Sequence, residues 1–149
     1  MQTLRWVQLS DDERDAFLGR GGTGVLSVAK APDQSPVSIP VSYGYDGAET
    51  RFYFQLSVPE EQAKAEFFEE PVSFVTYGKT DRGWQSVIAT GTLEEITDVP
   101  YESTPVQGMW AIDIPRVDIF ERPREEITFR DVYLDPETVT GRKEAPTRP

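Results

Sequence analysis

Lys64 is a cationic side chain whose position suits an anionic ligand. It lies in a predicted helix that follows the apolar block RFYFQL at residues 51–56. An ammonium near the end of a strand can bind a phosphate, and the Ser57 hydroxyl and the first backbone N–H groups of the helix can assist it. Glu60 precedes Lys64 by four residues, which also fits an ordinary ion pair on a helix surface. The sequence leaves both interpretations of Lys64 open.

Two further groups of residues could contact a planar ligand. Ser42, Tyr43 and Gln55 fall on neighbouring predicted strands, where backbone and small polar groups can hydrogen-bond the edge of a heterocycle. Trp84 opens a later predicted strand and could stack on a ring, with Ser86 donating a hydrogen bond to it. Ordinary strand polarity explains the first group as well, and core or dimer packing would also explain Trp84.

The chain contains neither cysteine nor histidine, which excludes several kinds of chemistry. Disulfides, thiolate nucleophiles, Ser–His dyads and zinc fingers all need one of these residues. A metal site would need oxygen ligands alone, and we predict none. Acid–base chemistry would fall to carboxylates, tyrosine, lysine or a cofactor.

The composition limits the partners and the location of the protein. Of its 149 residues, 26 are acidic and 15 are basic, so the formal net charge is −11. This excess argues against nucleic acid or an anionic membrane as the main partner, because both present phosphates that need cationic side chains. No apolar run could cross a bilayer and no signal-peptide pattern is present, so we expect a cytoplasmic protein. The acidity fits either simple solubility or a halophilic host.

Hydrophobic periodicity predicts a mainly β domain with few helices. Ser10 and Glu13 form a capping box for a helix over Asp11–Leu18. Strands are predicted at 24–29, 37–45, 50–56, 72–77, 83–96 and 108–120. Pro40 interrupts the second of them, which predicts a sheet edge, a bulge or a docking place there. Six or more antiparallel strands with this spacing favour a small barrel, because closure removes exposed strand edges.

The domain is predicted to occupy residues 1–135. Residues 127–134 are expected to form a strand or to pack on a partner. Apolar residues become scarce after Leu134, so residues 136–149 are predicted to form a flexible tail.

The order of several blocks resembles the pyridoxamine 5′-phosphate oxidase-like family of FMN-binding split barrels. These blocks are GVLSV at 24–28, IPVSYGYDG at 39–47, FYF at 52–54, PVSF at 71–74 and WQSVIATG at 84–91, with Lys64 between them. The resemblance implies a split-barrel homodimer with FMN bound between the subunits. It also implies cofactor-binding roles for one set of residues: Val41, Ser42, Tyr43, Gln55, Ser57, Lys64, Trp84, Gln85, Ser86 and Trp110.

The resemblance assigns parts of the flavin to these residues. Residues 41–43 would line the isoalloxazine, Gln55 and Ser57 would approach the ribityl phosphate, and Lys64 would pair with the phosphate. Residues 84–86 would contact the flavin or its phosphate, and Trp110 could reach the site from the partner chain.

The implied function is hydride or electron transfer at FMN, with an unidentified substrate and an electron donor such as NAD(P)H. The C-terminal arginine motif of true oxidases is not evident, which argues against oxidation of pyridoxamine phosphate. The alternatives are a non-catalytic homodimer that binds flavin or another ligand, use of F420 in place of FMN, and a cofactor-free structural dimer.

Overall fold

The computed structural model describes residues 4–57, 70–96 and 129–146. These residues form the helix α1, Asp11–Leu18, and nine strands. The strands are β1 Leu4–Gln8, β2 Gly21–Val28, β3 Val37–Asp46, β4 Arg51–Ser57, β5 Val72–Thr80, β6 Gly83–Gly91, β7 Leu93–Glu95, β8 Phe129–Leu134 and β9 Thr138–Pro146. The predicted helix around Lys64 and the predicted strand at 108–120 lie outside the described residues.

All nine strands belong to one antiparallel sheet with the order β1-β9-β6-β5-β2-β3-β4-β8-β7. β6 and β7 are far apart in this order, yet only Thr92 separates them in the chain. The sheet must therefore curl until β8 and β7 approach the end of β6. Gly91 permits this closure, because a Cβ there would lie 2.9 Å from Leu134 Cδ1. The predicted mainly β, antiparallel architecture is confirmed.

The core lies inside the curl and is centred on phenylalanines from two strands. The Phe74 ring centre lies 5.5 Å from that of Phe52 and 5.0 Å from that of Phe54. Burial of such a side chain stabilises the fold by about 1.5–3 kcal/mol. Alternate residues of these two strands and of five others join the cluster: Leu26, Val28, Val41, Tyr43, Tyr45, Leu56, Val72, Val87, Ala89, Leu93, Val132 and Leu134.

Helix α1 has the bounds predicted from its capping box. Ser10 Oγ accepts a hydrogen bond from the Glu13 N–H at 3.2 Å, and Glu13 Oε1 accepts one from the Ser10 N–H at 3.1 Å. The buried Leu18 and two tyrosine contacts attach the helix to β3. The Tyr43 hydroxyl donates to the Leu18 carbonyl at 3.0 Å, and the Tyr45 hydroxyl donates to Asp15 at 2.6 Å.

Most of the segment predicted as a flexible tail forms a strand. β9 pairs with β6 on one side and with β1 on the other. On the inward side of β9, Val139 packs on the core and Leu9 covers Gly141. A strand needs apolar residues at alternate positions only, so the scarcity of apolar residues after Leu134 did not reveal it. The strand expected near 127–134 is present as β8.

Candidate functional site

The ladder between β3 and β4 ends before either strand does. Its last pair is Tyr43↔Phe54, and one further step of the same register would set Ser42 opposite Gln55. That pair is not formed, although β4 continues beside β8 and β3 continues beside β2. A gap therefore opens between residues 37–42 of β3 and residues 55–57 of β4. We call this gap the split.

Pro40 lies on the β3 side of the split and is exposed. It pairs with Val25 of β2 and has no N–H to donate. An edge is one of the three possibilities that Pro40 left open, and within the described residues β3 has no strand partner on this side from Ser42 back to Val37. Backbone groups on such an edge need other hydrogen-bonding partners, and a ligand can supply them.

Neighbouring residues of β3 point to opposite faces of the sheet. Val41 and Tyr43 are inward, and the Tyr43 ring centre lies 5.2 Å from that of Phe74. Burial raises the pKa of the Tyr43 phenol. Ser42 lies between them, half-buried on the outer face. The backbone groups of Val41 and Tyr43 point to β2, as the Tyr43 carbonyl beside Gly21 and the Tyr45 N–H bonded to the Arg20 carbonyl show. Ser42 alternates with them, so its backbone groups face the split and its hydroxyl lies beside them.

Gln55 is the matching polar residue on β4. It is half-buried, and it lies between the core residues Phe54 and Leu56, so its amide is on the outer face. Ser57 pairs with Phe129 of β8, and only its backbone is described. Of the predicted site residues, Ser42 and Gln55 lie on the two strands that border the split, each one residue beyond the last paired position.

Tyr53 is a polar residue beside the split that the sequence analysis did not select. It pairs with Gly44 of β3 and with Tyr133 of β8, two residues before Gln55. Its ring is fully buried, and its hydroxyl has no hydrogen-bond partner among the residues described. Burial raises the pKa of this phenol, and the neighbouring Arg51 side chain opposes the rise. The alternation in RFYFQLS, which puts residues 53 and 55 on one face, was the signal that could have identified it.

An ion-pair network lies on the other side of Tyr53. The Arg51 Nε donates to Asp135 Oδ1 at 2.6 Å, and the guanidinium carbon lies 5.6 Å from the centre of the Tyr133 ring. The Tyr133 hydroxyl donates to Glu94 of β7. Burial and this carboxylate both raise the pKa of Tyr133. The network joins β4, β8 and β7. Because Asp135 neutralises the charge of Arg51, we assign Arg51 a structural role and not ligand binding.

The predicted site residues of β6 are divided between the two faces. Trp84 is exposed and Ser86 is half-buried on the outer face. Gln85 points the other way, and its Nε2 donates to Thr80 Oγ1 at 3.4 Å. β5 and β2 separate β6 from β3, so Trp84 is about 14 Å from the split along the sheet at about 4.8 Å per strand. Lys64 and Trp110 lie outside the described residues.

The described site can bind and orient a flat molecule with donors and acceptors on its rim. The β3 edge, the Ser42 hydroxyl and the Gln55 amide supply the matching groups. Within residues 4–57, 70–96 and 129–146, no group of three or more acidic residues could hold a metal ion. No helix in the same ranges is long and apolar enough to span a membrane.

A family model described as pyridoxamine 5′-phosphate oxidase matches residues 10–143. The chain therefore belongs to this family. The match includes α1, both sides of the split and the greater part of β9. No curated protein matches the chain at a significant level.

Three solved structures have a similar fold. A FAD-binding protein from Mycobacterium smegmatis is 16% identical, with a TM-score of 0.67 over 93% of this chain and 99% of that chain. A FAD-binding protein from Mesorhizobium loti is 23% identical, with a TM-score of 0.58 over 97% and 99%. A Corynebacterium glutamicum protein, assigned provisionally as a pyridoxamine 5′-phosphate oxidase, is 15% identical, with a TM-score of 0.67 over 96% and 100%. At these identities the comparisons establish the fold, and they confirm the split barrel.

Proposed function

We propose that the protein binds a flavin, FMN, in the split between β3 and β4. The observation that carries the proposal is the end of the ladder at Tyr43↔Phe54, with the polar residues Ser42 and Gln55 next along the two strands. An isoalloxazine is flat and has carbonyl and N–H groups on its rim, which suits a strand edge with a hydroxyl and an amide beside it. Family membership and the FAD-binding proteins of similar fold support a flavin as the ligand class.

Each residue of the proposed site has a distinct part. Ser42 would hold the ring through its backbone groups and its hydroxyl, and Gln55 through its amide. Val41 and Tyr43, whose side chains are in the core, would fix the position of Ser42 between them. Ser57 and Lys64 would hold the phosphate by charge-assisted hydrogen bonds. Trp84 and Ser86 would approach from β6, and Trp110 from a partner subunit. The inward amide of Gln85 supports the turn between β5 and β6 through Thr80, so we propose an indirect role for it.

The proposed activity is that of an oxidoreductase. A bound flavin supplies hydride or electron transfer, and the protein supplies binding, orientation and electrostatics. NADH or NADPH would be the electron donor. The second candidate is a non-catalytic flavin-binding protein, and the absence of cysteine and histidine favours it, because few side chains remain that could transfer protons near neutral pH.

A homodimer is part of the proposal. One apolar row crosses four strands on the outer face, because Pro40 pairs with Val25, Val25 with Val75, and Val75 with Ile88. The row starts at the split and ends at the exposed Ile88 on β6. A second copy seated on this row would bury it and would cover the split from solvent. This arrangement would bring residues of the partner to the bound ring.

A visible absorption spectrum tests the cofactor. The protein would be purified without added flavin, then incubated with FMN, FAD or F420 and desalted. We expect retained FMN bands, and we expect Ser42→Ala combined with Gln55→Leu to weaken FMN binding by at least about tenfold. Ser73→Ala, a half-buried outer-face serine of β5, is the matched control. A protein that retains no flavin would contradict the proposal.

Reduction of the bound flavin separates the two candidates. Anaerobic bleaching of the flavin by NADH or NADPH would support the oxidoreductase. A flavin that is inert to both donors but is reduced by dithionite would support the non-catalytic binder.

A further inference from the structure

Four large apolar side chains of the described residues are strongly exposed, and all of them lie near one edge of the sheet. They are Trp6 at 56%, Tyr77 at 69%, Trp84 at 41% and Ile88 at 39%. They belong to β1, β5 and β6, which lie together with β9 in the strand order β1-β9-β6-β5. Ile88 continues the apolar row described above. The aromatic residues lie beyond that row on the same face of the sheet.

Tyr77 and Trp84 form a pair of exposed rings on adjacent strands. Their ring centres are 6.1 Å apart and their planes are inclined by 42°. Lys79 pairs directly with Trp84, Ser86 pairs with Tyr77, and Arg142 of β9 pairs with Ser86. Residues paired in this way have Cβ atoms about 5 Å apart and lie on the same face. We call these five residues the aromatic platform.

The aromatic platform carries positive charge on an acidic protein. The formal net charge of the chain is −11, so most of its surface repels anions. Lys79 and Arg142 are both exposed, and within the described part of the chain neither forms an ion pair. Glu144 places a carboxylate beside Trp84, where its Oε2 accepts the Trp84 backbone N–H at 3.2 Å. The two cations therefore remain available to a ligand.

We propose that the aromatic platform binds the adenylate part of a dinucleotide. The purine ring would stack on Trp84 and Tyr77, since an aromatic side chain can stack on the flat face of any base. Lys79 and Arg142 lie on either side of the two rings and would pair with the phosphates. The Ser86 hydroxyl lies between them and would hydrogen-bond the same ligand.

This inference deepens the proposed function and rests on it. The aromatic platform and the split share the outer face, so one ligand system could occupy both. Two molecules of the proposed reaction carry an adenylate: the flavin itself, when it is FAD, and the nicotinamide donor. The recognising chemistry is the same for both, and the affinities for flavins and donors separate them.

The first test is calorimetric titration of the full chain with ADP, without flavin. We expect binding that weakens by about tenfold or more in Lys79→Gln combined with Arg142→Gln, and similarly in Trp84→Leu. Arg20→Gln, an exposed arginine beyond the end of α1, is the matched control and should bind as the wild type does. Thermal unfolding of each variant checks that it folds.

Two further measurements identify the source of the adenylate. If the protein prefers FAD to FMN and the Lys79→Gln, Arg142→Gln variant does not, the adenylate belongs to the flavin. An unchanged flavin preference with a raised KM for NADPH assigns it to the donor. The inference is overturned if ADP does not bind at millimolar concentration, or if the double variant binds it unchanged. It is also overturned if the variants shift the monomer–dimer equilibrium and leave ADP binding intact.

The two proposals fail separately. A protein that retains FMN and does not bind ADP overturns the aromatic platform alone. A protein that binds ADP and retains no flavin overturns the flavin site alone.

Discussion

The inner and outer faces of the sheet are formed by alternate residues of the same strands, yet they differ in what they require. Inside, Phe52, Phe54 and Phe74 belong to one packed cluster, in which the volume of each side chain matters. Outside, Ser42 and Gln55 matter through the position of a single hydroxyl or amide. Strand alternation therefore lets a ligand site be built on the outer face without disturbing the core that holds it.

Tyrosines on the two faces also differ in the hydrogen bonding of their hydroxyl groups. Tyr45 points inward and its hydroxyl donates to Asp15 of α1, which links the helix to the sheet. Tyr53 points outward and is buried without a partner for its hydroxyl among the described residues. Both tyrosines are buried, yet only the Tyr45 hydroxyl has a hydrogen-bond partner among the described residues. Tyr53, whose hydroxyl has none there, is the tyrosine beside the split.

The largest expected effect is on the core. Phe74→Ala should reduce the free energy of unfolding by about 3–5 kcal/mol, because it leaves a cavity among packed rings. Val75→Ala, at the next residue on the half-exposed outer face, should cost less than about 1.5 kcal/mol. Urea unfolding of both variants measures the difference. Similar losses would mean that the outer face is packed as tightly as the core.

The neighbouring pair Phe54 and Gln55 should separate stability from binding. Gln55→Leu should weaken FMN binding by about tenfold and change the free energy of unfolding by less than about 0.5 kcal/mol. Phe54→Leu should do the reverse, costing about 1–2 kcal/mol of stability with FMN affinity nearly unchanged. Fluorescence titration with FMN and urea unfolding would be applied to both. An unchanged FMN affinity in Gln55→Leu would remove this residue from the site.

Tyr45→Phe and Tyr53→Phe sharpen the comparison of the two tyrosines. Tyr45→Phe should lose about 1 kcal/mol of stability, because it removes the hydrogen bond to Asp15. Tyr53→Phe should be neutral or stabilising by up to about 1 kcal/mol, since its hydroxyl has no partner to lose among the described residues. Thermal unfolding at one protein concentration compares them. A large loss in Tyr53→Phe would show that its hydroxyl is satisfied in solution.

The Tyr45 contact should also depend on pH. Burial and Asp15 raise the pKa of Tyr45 to about 12 in the folded protein, from an ordinary value of 10.0. Stability that comes from the protonated phenol is therefore complete below pH 10 and is lost between pH 10 and about 12. The wild type should lose more stability than Tyr45→Phe over this range. Parallel pH profiles for the two proteins would contradict the assignment.

The smallest expected effect concerns the attachment of β9 to α1. Lys143 donates a hydrogen bond to Glu13 and lowers the pKa of that carboxyl from 4.5 to about 2, with help from the Ser10 N–H. The folded-state pKa is depressed, so this contribution is present above pH 4.5 and is lost as the pH falls towards about 2. Glu13→Gln keeps an oxygen for the capping box and removes the charge.

The acid part of the stability curve measures this contribution. The melting temperature of Glu13→Gln should fall less than that of the wild type between pH 4.5 and about 2. Glu49→Gln, which changes an exposed residue near the turn after β3, is the control and should follow the wild type. Identical curves for all three proteins would mean that the contact contributes nothing in solution.

Local features of the sequence were sufficient for much of this fold. The capping box at Ser10 and Glu13 predicted α1 with its bounds, because its hydrogen bonds join residues three apart. Alternation predicted β3, β4 and β5 to within a few residues, and Pro40 indicated an edge, a bulge or a docking place where the split begins. The order of short blocks indicated the family, which the match over residues 10–143 confirmed.

The sequence by itself therefore determined the helix α1 and the strands β3, β4 and β5, because backbone geometry and side-chain period act over a few residues. Only the tertiary structure decided that 138–146 join β1 and β6, that Gln85 points inward, and that the split opens at Ser42 and Gln55. These features depend on pairing between segments far apart in the chain. Their register is set by the whole curled sheet, and no local pattern contains it.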